Sequence, residues 1–304
     1  MICPPALEAG HQVGIVAPAT QVSREDIETA IHILEEWGLE VILGPNLFKK
    51  HNQFAGTDAE RTADLQAMLD NPDIHAIICA RGGYGTIRVV DKLDFSTFMQ
   101  KPKWVVGFSD ITVLHCHLHN LGVESIHGVM PLLFPKQTQE TIESLHQVLF
   151  GQPSDLQVSA HLLNRAGRAE GEMVGGNLSL FANTIGTASE IETAGKILFL
   201  EDVDEYLYHL DRMMIHLYRA GKLRDLAGLV VGQFTEIKDD AVAFGHDVNE
   251  IIAELVQEYA YPVCYDFPIG HEIHNMTVVC GRTAQLKVES QGVGLYFEGP
   301  AFKS

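Results

Sequence analysis

The chain has 304 residues, 46% of them hydrophobic, and carries 40 acidic against 21 basic side chains for a formal charge of −19. That length exceeds what one hydrophobic core usually serves, so two domains are expected. The acidity argues against a partner held by phosphate neutralisation, nucleic acid above all, and any anionic ligand has to be captured by local donors.

Five cysteines (Cys3, Cys79, Cys116, Cys264, Cys280) make an odd set with no C-x-x-C pair, which reads as reduced thiols in a cytoplasmic protein. The N-terminal MICPPALEAG lacks the basic start and long apolar run of a signal peptide, and no stretch approaches transmembrane length, so no membrane association is expected.

In chain order, VGIVAP (13–18) reads as a strand, and Ser23 with Asp26 has the spacing of a helix start, the helix running to Gly38. EVILG (40–44) is a second strand. Thr57 and Glu60 form a capping-box signature opening a helix that stops at Asn71-Pro72. IHAIICA, KWVVGF and ESIHG, starting at 74, 103 and 124, supply three more strands, each trailed by turn residues and a helical stretch. Five βα-type units by about residue 150 predict a parallel sheet covered by helices.

The polar GQPSDLQVSA (151–160) breaks this rhythm and is taken as the boundary between domains 1–155 and 156–304. Beyond it, KILFLE (196–201), LAGLVVGQF (226–234), YPVCYDF (261–267), AQLKVES (284–290) and VGLYFEG (293–299) read as strands. EYLYHLDRMMIHLYRAG and VNEIIAELVQEYA read as helices.

Ligands of open α/β sheets sit beyond the carboxyl ends of the strands, which singles out ARGGYG (80–85), GFSD (107–110) and FLEDVDE (199–205). The glycine pair of ARGGYG lets backbone N–H groups face an anion or oxyanion, although an ordinary tight turn uses the same residues. It is not G-x-G-x-x-G and no Walker sequence occurs, so no nucleotide cofactor is expected. Arg81 suits a substrate carboxylate or a structural ion pair equally.

Ser109 stands at a strand end and at the first turn of a helix, where it reads either as an N-cap or as a nucleophile. In HCHLHN (115–120), His115 and His119 share a helix face, but no H-E-x-x-H pattern accompanies them, so no metal is expected. His271 follows an apolar strand and a Pro-Ile-Gly turn, a place from which an imidazole can be presented. Glu201 closes the buried run KILFLE and needs a partner there, unless it belongs with Asp202, Asp204 and Glu205 at a helix start. Together these groups make a nucleophile, an oxyanion site, an orienter and a base.

VGIVAPAT, ARGGYG, GFSDIT, ES-IHG-MP (124–131), GGNLS (175–179), FLEDVDE and IGH resemble the LD-carboxypeptidases, serine peptidases that include muramoyltetrapeptide carboxypeptidase and the microcin C immunity hydrolase. The resemblance implies Ser109 as nucleophile, His271 as general base, Glu201 as its orienter, and the N–H groups of Gly83 and Asp110 as the oxyanion hole. It also implies an α/β fold with a flavodoxin-like N-terminal domain and a smaller swivelling β/α C-terminal domain, commonly in a homodimer. The implied reaction hydrolyses the amide between meso-diaminopimelate and the terminal D-alanine of a murein tetrapeptide in cytoplasmic peptidoglycan recycling. An acyl-sulfamoyl or peptidyl nucleotide of the microcin C type is the alternative substrate, and a two-domain binding protein without chemistry the remaining reading.

Overall fold

The computed structural model describes residues 1–152 and 155–299. In the N-terminal half the order is β1 (Gln12–Val16), α1 (Arg24–Glu36), β2 (Glu40–Leu43), α2 (Asp58–Asp70), β3 (Ile74–Cys79), β4 (Trp104–Gly107), α3 (Thr112–Asn120), β5 (Ser125–His127) and α4 (Gln139–Leu149). Both capping boxes read from the sequence form: the side chains of Ser23 and Thr57 accept from the backbone of Asp26 and Glu60, whose carboxylates accept in return from the two cap N–H groups.

The second half continues with β6 (Leu156–Ser159), β7 (Gly167–Asn177), α5 (Leu178–Asn183), β8 (Ile197–Val203), α6 (Leu207–Arg219), β9 (Gly228–Thr235), α7 (Val248–Val256), β10 (Val263–Cys264), β11 (Val278–Cys280), β12 (Thr283–Glu289) and β13 (Gly292–Phe297). Two sheets result, ordered β11-β5-β4-β3-β1-β2 and β10-β9-β8-β7-β12-β13-β6. Within the first, β1 to β5 are parallel in the order 2-1-3-4-5, the flavodoxin-like winding.

The sixth strand of that sheet comes from the second half. β11 runs antiparallel to β5, with Val278 opposite His127 and Cys280 opposite Ser125. Apolar packing follows the same crossing: Cys116 of α3 is buried among Val174, Leu178, Phe181 and Leu198 of the second half, and β11 adds Val278 and Cys280 to the core that holds Phe199, Phe267 and Ile269. Each fully buried side chain of that size is worth about 1.5–3 kcal/mol, so the two halves are joined by core as well as by chain.

Three features depart from the sequence reading. After β3 no α-helix forms; three single 3₁₀ turns (Thr86–Arg88, Val90–Lys92, Phe98–Gln100) cover that stretch. The polar segment around 151–160 contains β6, which pairs with the edge strand β13, although Pro153 and Ser154 lie outside the described residues. The longest strand, β7, was not expected. Its first half pairs antiparallel with β12 and its second half parallel with β8, so one strand meets two environments and shows no single hydrophobic period.

Candidate active site

β4 is buried along its whole length and delivers Phe108 and Ser109 at its carboxyl end. Ser109 sits at φ 61°, a left-handed conformation that side chains other than glycine adopt at a cost of about 1–3 kcal/mol and that concentrates at functional sites. The N-cap reading does not hold here: Ser109 is itself the first residue of the 3₁₀ turn Ser109–Ile111, and that turn has no side-chain cap bond.

Neighbouring groups fix this turn. Thr86 N donates to Asp110 Oδ2 at 2.8 Å, and the Asp110 side chain is fully buried. The Asp110 carboxyl is pushed up from its ordinary range, first by burial, against the opposing hydrogen bonds from Thr86. Behind it, His115 Nε2 lies 2.8 Å from Gly107 O and Nδ1 lies 2.9 Å from Ser125 Oγ. A carbonyl only accepts, so Nε2 carries the proton and Nδ1 accepts from the serine. Burial holds His115 down at about 4, and the ring is neutral.

The glycine-rich loop after β3 packs directly against Ser109. A Cβ on Gly82 would lie 3.3 Å from Ser109 Cβ and 3.4 Å from its Oγ. Gly83 has φ 101°, and a Cβ there would come within 2.3 Å of Thr20 Oγ1, the hydroxyl that accepts from Tyr84 N at 3.3 Å. Glycine is required at 83 on both counts. Arg81 places its guanidinium with Nη1 3.0 Å from Gln21 O and forms no salt bridge among the described residues.

Glu201 lies near the end of β8, where the ladder with β9 shifts register between Leu200 and Asp202. Such a bulge redirects side chains and is frequent beside active sites. Glu201 is fully buried. Its Oε2 accepts from His271 Nδ1 at 2.7 Å, while Oε1 has no protein partner. The helix-start reading of Glu201 therefore fails: α6 begins only at Leu207, with Tyr206 at its N-cap position.

Two glycines let the histidine loop close on this carboxylate. Added Cβ atoms at Gly232 and Gly270 would lie 3.2 and 3.4 Å from Glu201 Cβ, and the former only 2.5 Å from Ile269 O. The loop is tied to the N-terminal half through α4, by Thr138 N to Ile273 O and Asn275 N to Thr141 Oγ1, both at 3.0 Å.

The His271 ring, 4.8 Å from that of Phe108, lies over the end of β4. Burial pulls the imidazole pKa down, but the Glu201 carboxylate, with the fields of Asp202 and Glu236, outweighs it and leaves the pKa raised above 6.5. With Nδ1 bonded to Glu201, Nε2 is the ring nitrogen left for the cavity that His271 and Ser109 share. That cavity, about 130 Å³, is lined by Arg81, Gly82, Gly83, Phe108, Ser109 and His271 together with Met130, Leu132 and Leu133.

His119, His127 and Asn177 do not line that cavity. His119 Nε2 bonds Glu172 at 3.1 Å, so the His115–His119 pair does not converge on one point. Among the described residues no group of three or more His, Cys, Asp or Glu is placed to hold a metal ion. His127 is fully buried between Phe108 and Phe199, its ring nitrogens without protein partners and its pKa driven well below 6.5 by burial. Asn177 is buried too, bonded to Asp202 and capping α5. Sequence reasoning missed that bond, since Asp202 had looked like one more acid of a helix start.

Residues 13–128 match the LD-carboxypeptidase N-terminal domain and residues 170–286 the LD-carboxypeptidase C-terminal domain. The chain belongs to the LD-carboxypeptidase family. As a family member it is a serine-type carboxypeptidase. It is 37% identical over 293 residues to the probable murein peptide carboxypeptidase of Bacillus subtilis, covering 93% of this chain and 91% of that one. To the murein tetrapeptide carboxypeptidase of Pseudomonas aeruginosa it is 34% identical over 288 residues, 91% of this chain and 93% of the relative.

Among solved structures, the muramoyltetrapeptide carboxypeptidase from Oxalobacter formigenes superposes with a TM-score of 0.87 at 30% identity, over 95% of this chain and all of that one. The microcin C7 self-immunity protein MccF superposes with a TM-score of 0.86 over 98% of this chain and 99% of its own, but at 19% identity that likeness is one of fold alone.

Proposed function

We propose that this LD-carboxypeptidase hydrolyses the amide between the L-centre of meso-diaminopimelate and a terminal D-alanine in murein tetrapeptides, through an acyl-enzyme on Ser109. The observation that carries the proposal is the 2.7 Å bond from His271 Nδ1 to Glu201, with His271 lining a cavity it shares with a strained Ser109. Glu201 fixes the imidazole tautomer and orientation and stabilises the imidazolium that forms; His271 Nε2 takes the Ser109 proton as Oγ attacks the carbonyl.

The resulting oxyanion is received by the N–H groups of Gly83 and Asp110, the first on the loop packed against Ser109 and the second at the start of the turn that Ser109 opens. His271 returns the proton to the leaving amine. Water, deprotonated by the same ring, then releases the shortened peptide.

The leaving residue bears a carboxylate, and on a chain of charge −19 it needs a local cation. Among the described residues Arg81 is the one permanently charged cation lining the cavity, and we assign it that role. Five free cysteines, four of them buried, fit a reducing cytoplasm, where murein fragments are recycled. Among the described residues no helix is long and apolar enough to cross a membrane. A homodimer belongs to the same reading and is tested by sedimentation.

Purified protein should release D-alanine from the tetrapeptide and leave an acyl-sulfamoyl nucleoside intact. Trp37 packs on His146 and Phe150, and Trp104 is buried in β4, so neither offers a face on which a base can stack. Hydrolysis of the nucleoside alone would reassign the substrate, and hydrolysis of neither would remove the proposal.

A further inference from the structure

Asp202 takes no part in the steps above, yet it is one of the most fully bonded carboxylates in the protein. It is 2% exposed and accepts from Asn177 Nδ2 at 2.7 Å, Val203 N at 2.8 Å and Ser179 N at 3.0 Å. All three partners are N–H donors, so the ionised, acceptor-only form satisfies the whole set.

Asn177 passes the connection on. Its Oδ1 caps α5 at Leu180 N, 3.2 Å away, and its own N–H donates to Thr112 Oγ1 at 3.0 Å. Thr112 is buried at the first position of α3, immediately after the turn Ser109–Ile111. At this crossing the backbones are so close that a Cβ on Gly176 would lie 2.5 Å from Thr112 Oγ1. A continuous path therefore runs from the Ser109 turn through Thr112, Asn177 and Asp202 to Glu201, its neighbour on β8.

We propose that Asp202 is a positioning residue: its carboxylate clamps the Asn177 turn to the end of β8 and, through Thr112, sets the Ser109 turn in register with the Glu201–His271 pair. This rests on the reading of Ser109, His271 and Glu201 as the reacting trio. It explains why a second carboxyl group is kept buried beside Glu201, an arrangement that costs free energy unless the hydrogen bonds offset it.

The charged neighbours of Asp202 are Glu201 on its own strand and His271 on the loop above. Neither α5 nor β9 carries a titratable residue, and the end of β7 from Met173 to Asn177 carries none. Burial and then the Glu201 charge push the Asp202 carboxyl up to about 7. As pH falls through that value the carboxyl gains an O–H, one of the three N–H donors loses its acceptor, and the clamp loosens.

The test reads the rate at which a fluorophosphonate labels Ser109, which requires no peptide substrate, in the full chain as wild type, D202N, T112V, T112S and the double variant T112V/D202N. Thermal melting reports folding of each. D202N and T112V should each slow labelling by about tenfold or more, the double variant should be no slower than the worse single one, and T112S should keep the wild-type rate. D202N should also move the acid limb of the labelling rate to lower pH, because a negative charge near His271 is gone, whereas T112V should leave it in place.

Losses that multiply in the double variant would overturn the proposal, as would labelling by D202N at the wild-type rate with only the melting temperature reduced. If D202N does not fold, equal labelling by T112V and wild type would overturn it by itself. Failure of the wild type to label at Ser109 would remove the reacting trio and this proposal with it, an outcome distinct from labelling that persists unchanged in the variants.

Discussion

His271 and Glu201, 70 positions apart in the chain, meet with Nδ1 and Oε2 2.7 Å from each other, and the second oxygen of Glu201 has no protein partner. The carboxylate therefore acts on a single imidazole. Because it outweighs burial and raises the His271 pKa above 6.5, neutral His271 predominates only at pH above that raised value. The acid limb of kcat/KM is expected above the ordinary imidazole value. Glu201→Gln removes the raising charge and leaves burial, so the limb should move to lower pH while kcat falls on the order of 10³–10⁴-fold. A pH–rate profile of both proteins checks this.

Under the role proposed for Arg81, substitution there separates recognition of the leaving group from chemistry. Wild-type enzyme should favour a tetrapeptide ending in free D-alanine over the same peptide ending in D-alaninamide. In Arg81→Gln the loss, about 10²-fold in kcat/KM, should fall on the free acid and spare the amide. Equal losses on both substrates would return Arg81 to a structural role. The Asp26 carboxyl, held below its ordinary range first by hydrogen bonds from Ser23 and to a smaller extent by the Arg81 charge, is present in both assays.

Gly83→Ala places a methyl group 2.3 Å from Thr20 Oγ1 on a residue held at φ 101°. The loop has to move, and the N–H group proposed as an oxyanion donor moves with it. A fall in kcat of about 10²–10³-fold is expected, with KM changed much less. Steady-state kinetics with the tetrapeptide measures it.

Strain at Ser109 has a stability signature opposite to its activity signature. At φ 61° glycine relieves about 1–2 kcal/mol of left-handed cost, set against about 0.5–1 kcal/mol of added chain entropy. Ser109→Gly should be inactive yet melt at or slightly above the wild-type temperature, and above Ser109→Ala. Calorimetry of the three proteins decides it.

Much of this was visible in the residues. Ser109, His271 and Glu201 each follow an apolar run, and a strand end is where an α/β sheet presents side chains, so local pattern was enough to single them out. Pairing between distant segments was not. β11 is only three residues, and nothing in Val278–Cys280 announces that it will close the N-terminal sheet beside His127. β7 carries glycines and charges through its first half because one face there is exposed, then becomes wholly buried against β8. Asp202 was hidden for a similar reason: its three donors come from Asn177, Ser179 and Val203, and two of those are brought to it only by the parallel pairing of β7 and β8.

The central claim is tested most directly by following D-alanine release from the murein tetrapeptide with wild-type protein and Ser109→Ala, folded equally by thermal melting. Release by the wild type and a loss on the order of 10⁴-fold or more in the variant are expected. Equal turnover by the two proteins would contradict the assignment of Ser109 as the nucleophile.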